Sequence, residues 1–127
     1  MQVRQINAAG SHDLKSQFSQ AIELDGATRS VFVSGQIPVA PDGSVPTSFG
    51  AQARQTWANV EAQLRAADMS FDNLIKVTIF LSSRDHKAEN SAVRKAVLGG
   101  IEPALTVIVC DIFDEEWLLE IEAIAAA

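Results

Sequence analysis

At 127 residues, with 47% apolar and 20% charged side chains, the chain is long enough to bury about two thirds of its unfolded surface in one core and is far from a disordered composition. Sixteen acidic against ten basic residues give a net charge of −6 with no run of Lys or Arg, which argues against nucleic-acid or anionic-membrane surfaces. A lone cysteine, Cys110, excludes an internal disulfide and argues against a structural zinc site; its apolar neighbours predict a buried small hydrophobe.

Residues 1–10 are polar and lack the apolar segment of a signal peptide, and no stretch reaches the ~20 apolar residues of a membrane helix, so a cytoplasmic protein is expected. Val3 to Asn7 reads as a short edge strand. Phe18 to Leu24 and Ser30 to Ser34, parted by Asp25-Gly26, read as a β-hairpin, because that dipeptide readily takes positive φ. Pro38 to Ser48 is a loop rich in Pro, Asp, Gly and Ser.

From Phe49 the period lengthens. Phe49, Ala53, Trp57, Val60, Leu64 and Ala67 recur every three or four residues, while Gln52, Arg54, Gln55, Asn59, Glu61 and Arg65 fill the other side of an amphipathic helix. Leu74 to Leu81 is a strand, its apolar run broken on one face by Lys76 and Thr78. Asp85 is the expected N-cap of a shorter helix that reaches Leu98, with Val93, Ala96 and Val97 inward and Gly99-Gly100 ending it. Pro103 leads into an almost unbroken apolar strand, Ala104 to Cys110, and Asp111 to Glu116 forms an acidic turn.

In the last stretch, Trp117 to Ala125, Leu119, Ile121 and Ala123 alternate with Glu120, Glu122 and Ile124, the two-residue period of a strand with one apolar face. The order of elements predicts an α+β fold in which two helices cover one face of a mixed sheet. The apolar residues of the other face, expected to include Ile79, Leu81, Val107 and Val109, then call for self-association. One domain over residues 1–127 accommodates all of this.

Five segments stand in one order: Phe18-Ser19-Gln20-Ala21, Val33-Ser34-Gly35-Gln36-Ile37-Pro38, Ala51-Gln52-Ala53-Arg54-Gln55, Ile75-Lys76-Val77-Thr78-Ile79-Phe80-Leu81 and Leu119-Glu120-Ile121-Glu122-Ala123-Ile124-Ala125. With them the chain resembles the RidA/YjgF family from about Ser16 to Ala125. The resemblance implies a chorismate-mutase-like α+β fold and a homotrimer built on a central barrel, with small-molecule sites in the clefts between subunits. It also implies hydrolysis of enamines and imines to a 2-oxo acid and ammonia, with no metal and no cofactor. Carried over position by position, the water-orienting glutamate is Glu120, the backbone donor of the cleft is the Ser34-Gly35 turn, and Asn90 matches an asparagine of the second helix.

Two positions depart from the family pattern. The arginine that follows Pro-Ala in members acting on 2-imino acids, and forks onto the substrate carboxylate, is Leu105 here; the usual cleft tyrosine is Phe18. Turnover of ordinary 2-imino acids should therefore be weak. Arg29, Arg84 and Arg94 are candidates for a displaced guanidinium, although each reads more simply as a solvated surface charge. His12 and His86 read as solvated, Trp57 as core, Trp117 as packing at a strand start, and Glu122 as a structural or paired carboxylate. Three functional classes follow: an imine or enamine hydrolase with altered specificity, a non-catalytic ligand-binding or regulatory trimer, and a ribonuclease or chaperone, whose nucleic-acid version the acidic balance disfavours.

Overall fold

The computed structural model describes residues 1–12 and 18–127; Ser16, where the resemblance begins, lies outside them. Eight main elements follow one another: β1 (Gln2–Ile6), β2 (Ala21–Asp25), β3 (Ser30–Gln36), α1 (Phe49–Ala66), β4 (Leu74–Leu81), α2 (Lys87–Leu98), β5 (Ala104–Val109) and β6 (Leu119–Ala126). β3, β6, β4 and β5 form a mixed sheet in that order, while β1 and β2 pair with each other as a separate two-stranded ribbon. β4 and β5 are parallel, joined across α2, and β6 is antiparallel to both of its neighbours.

The hairpin expected between residues 18–24 and 30–34 does not form: β2 pairs with β1, and β3 with β6. Gly26, at φ 77°, does turn the chain, but the residues that follow are captured elsewhere. The amides of Thr28 and Arg29 both donate to the Ala127 carbonyl at 2.9 and 3.0 Å, and the Ala127 amide donates back to Arg29. The chain is thus handed to the end of β6. On the ribbon, Arg4 and Glu23 face each other and join fork to fork at 3.1 Å, an exposed pair whose hydrogen bonds hold the Glu23 carboxyl below its ordinary pKa.

Leu119, Ile121, Ala123 and Ala125 of β6 are buried together with Val77, Ile79 and Leu81 of β4, against Ala53, Trp57, Val60 and Leu64 of α1 and Val93 and Leu98 of α2. Both helices cover this face. Ile79 and Leu81 are therefore core residues rather than part of the open face, since strand parity sets them opposite Ile121 and Leu119, and Val107 and Val109, paired with them on β5, also face the helix side. The open face carries Phe32, 75% exposed, Ile108, 44% exposed, and the half-buried Phe80 and Ile124.

Caps follow local chemistry. Ser48 opens α1 by accepting from the Ala51 amide at 3.2 Å. Before α2, Ser83 rather than Asp85 caps: its hydroxyl accepts from the Asp85 amide at 3.1 Å, over the short turn Arg84–His86. Gly99 ends α2 at φ 60°. His86 is half-buried and stacks on Phe49, with ring centroids 4.4 Å apart. Cys110 is exposed, one residue past the end of β5, and not a buried hydrophobe.

Gln52, assigned to the polar side of α1, is 2% exposed. Its amide nitrogen donates to the carbonyls of Pro46 and Glu116 at 2.8 and 2.9 Å, and its oxygen accepts from the Leu118 amide at 2.8 Å. One side chain thereby ties the long loop before α1 to the acidic turn before β6. Gln52→Leu, which leaves three backbone groups unpaired, is expected to cost about 3 kcal/mol in chemical denaturation. An unchanged midpoint would show that water replaces all three bonds.

Candidate functional site

Register decides where each candidate side chain points. Leu105 pairs with Val77 on the helix-covered side, whereas Glu120 pairs with Phe80 on the open side. The six candidates therefore divide into two groups on opposite faces of one sheet.

The first group lies between β5 and α2. Phe18, Asn90 and Leu105 line a hollow of about 490 Å³ with Leu81, Val107 and Val109 as further apolar wall and Arg84, Lys87 and Arg94 as its cations. Val107 and Val109, 42% and 40% exposed, sit where the helices no longer reach across the sheet. None of the described lining residues is acidic.

Arg94 is not a surface charge. It is 3% exposed, its Nη2 has no hydrogen-bond partner among the described residues, and burial pushes its pKa down from the ordinary arginine value. Asn90, one helical turn earlier and also 3% exposed, has an equally unpartnered Oδ1. The sequence gives little warning of either burial, because neighbouring Val93 and Leu98 carry the apolar stripe by themselves.

The second group lies on the open face. Val33 faces Ala123 and Gln36 faces Ile121, so Ser34 and Gly35 share the space opposite Glu122 as a β-bulge. The bulge turns Gly35 toward Glu120. A Cβ built on Gly35 would stand 2.8 Å from the Glu120 Cδ and 3.1 Å from its Cγ, so the carboxylate arm rests directly on the glycine. Half-buried Glu120 also lines a hollow of about 250 Å³ with Phe80, Cys110, Asp111, Ile112 and Phe113, making Cys110 a neighbour that its apolar sequence context concealed. Ser34 opens instead onto a neighbouring hollow with Lys76, Thr78 and exposed Glu122.

A mixed sheet with two helices on one face, a bulged third strand and a glutamate laid over the bulge defines an α+β protein of the RidA type. Residues 10–127 match the family model described as endoribonuclease L-PSP, and the chain belongs to that family, the RidA/YjgF family. It is 34% identical over 110 residues to a RutC family protein of Pyrococcus horikoshii, covering 85% of each chain. Over 99 residues it is 34% identical to the 2-iminobutanoate/2-iminopropanoate deaminase of Escherichia coli, covering 75% of this chain and 77% of that one. Among solved structures, a Rid-family protein of unknown function from Yersinia pestis aligns at TM-score 0.87 with 25% identity and full coverage of both chains. Escherichia coli TdcF with bound serine aligns at TM-score 0.74 with 30% identity and 98% coverage of each.

Gly35→Ala tests the packing under Glu120. A methyl group there is expected to swing the carboxylate arm to another rotamer, visible in a crystal structure, while stability falls by no more than about 1 kcal/mol because a flexible side chain yields before the sheet does. Glu120 held in place over a distorted β3 would reverse that order.

Proposed function

We propose that the protein is an imine or enamine hydrolase of the deaminase type, with a substrate specificity altered from that of its relatives. The observation that carries this reading is the Glu120 carboxylate, half-buried beside a hollow and seated on the glycine of a bulge, in a chain 34% identical to a 2-iminobutanoate/2-iminopropanoate deaminase. In the reaction Glu120 aligns a water against the imine carbon and takes its proton as the C–O bond forms. That proton passes to nitrogen as the C=N double bond becomes single, giving a carbinolamine. The new hydroxyl then gives its proton through Glu120 to the amino group, and the C–N bond breaks as C=O forms, releasing ammonia and a carbonyl product. No metal or cofactor enters this scheme.

The two groups of side chains on opposite faces support a site shared between subunits, since one chain cannot bring Leu105 and Glu120 to a single small molecule. Phe32, Ile108 and Ile124 on the open face offer the apolar surface that a homotrimer would cover. Light scattering is expected to give three times the chain mass, and a monomer would remove the shared cleft.

Leu105 stands where relatives present a carboxylate-binding arginine, so a small 2-imino acid anchored from β5 is a poor substrate, and Leu105 with Phe18 walls the cleft instead. Ser34 and Gly35 contribute backbone to the cleft, and Asn90 lines it from α2. The ligand is a small molecule; nucleic acid and membranes have no part. A second reading, a non-catalytic ligand-binding trimer, draws on the structure of TdcF with bound serine.

Ammonia release from freshly generated 2-iminopropanoate separates the two. Wild type is expected to be slow, Leu105→Arg to gain about tenfold or more from the restored charge-assisted hydrogen bonds, and Glu120→Ala on that background to lose the gain. Fast wild-type turnover would overturn the role given to Leu105. Silence of all three would support the binding reading.

A further inference from the structure

Arg94 is a buried cation without an anion among the described residues. Removing a guanidinium from water is costly, and proteins ordinarily recover the loss through a carboxylate or a set of carbonyl oxygens. Among the described residues, the hollow that Arg94 lines has no acidic side chain and Nη2 has no partner. Asn90, at i−4 on the same helix face, adds an unpartnered Oδ1. Two residues one helical turn apart thus each carry a polar atom that no described residue satisfies, and both line a hollow whose apolar wall is Phe18, Leu105 and Val107. Exposed Arg84 and Lys87 at the rim add positive charge in a chain whose net charge is −6. An arginine kept only for packing would be better replaced by an apolar side chain of the same length.

We propose that Arg94 receives the anionic group of the ligand, with the Asn90 amide beside it, and that this ligand is a small monocarboxylate with an apolar body. The guanidinium fork matches a carboxylate in two parallel hydrogen bonds, and the apolar wall takes the remainder of the molecule. The anion is then held from α2, whereas the relatives' arginine would hold it from β5. This inference rests on the preceding reading only in placing the hollow within the ligand cleft; carboxylate binding needs no turnover.

Isovalerate and isovaleramide, alike in shape and different in charge, test the assignment by calorimetry on the intact protein. Wild type is expected to bind isovalerate at least about tenfold more tightly than the amide, the worth of a charge-assisted hydrogen bond. Arg94→Met is expected to erase the preference without lowering the thermal midpoint, because a buried charge is exchanged for an apolar side chain of similar length. Arg94→Lys, which keeps the charge and loses the fork, retains part of the preference and carries the test should Arg94→Met fail to fold. Equal affinity for the two probes in wild type, a preference that survives both substitutions, or tighter Arg94-dependent binding of inorganic phosphate overturns the proposal. If the preference depends on Arg94 while no variant releases ammonia, the anion site stands and the hydrolase reading falls.

Discussion

β6 makes the sheet possible. It lies between β3 and β4 and hydrogen-bonds to both, so every other strand of the sheet is attached to it directly or through β4. Its alternation has to be right at each position: one residue of slip would carry Glu120 and Glu122 into the core and expose Leu119 and Ile121. Register, burial and the position of the candidate glutamate are consequently one constraint. The bulge on β3 works within it, adding a residue on one side so that a glycine comes to lie beneath the glutamate without disturbing the pairing on the other.

Much of this was legible in the sequence because it depends on period. The alternation from Leu119 to Ile124 and the three-to-four spacing from Phe49 to Leu64 report burial directly, and both are found as expected. What escaped reading depends on partners distant in the chain. Asp25-Gly26 does form a turn, but whether β2 returns along β3 or along β1 is decided by bonds to Ala127 about a hundred residues away. Cys110 has the neighbours of a core residue and an exposed position, since β5 is the edge of the sheet and its last residues extend beyond the helices.

Gln52 and Arg94 show the same limit for polar residues. Each lies on a helix face that composition assigns to solvent, and each is buried. Gln52 is buried because three backbone groups from two loops converge on its amide, so its burial is fully satisfied. Arg94 has no such partners in the described structure. The difference separates a side chain that serves the fold from one whose cost the described residues leave unrecovered. Among the candidate site residues, Glu120, Phe18, Asn90 and Leu105 come from family resemblance, while Arg94 was one of three candidate arginines in the sequence and only burial and hydrogen-bond accounting separate it from the exposed Arg29 and Arg84.

The central place of β6 also sets the order in which the protein can assemble. β4, α2 and β5 are consecutive and close a parallel unit over a short span, but β3 finds its partner only through pairs such as Ser30 with Ala126. Closing a loop of that length costs entropy before any contact repays it, so the sheet is completed late and slowly. Until then β3 and one side of β4 are unpaired edges rich in Val, Ile and Phe, available to any other chain. The strand that carries the candidate glutamate is therefore also the one whose arrival ends the interval in which the chain is most prone to aggregate.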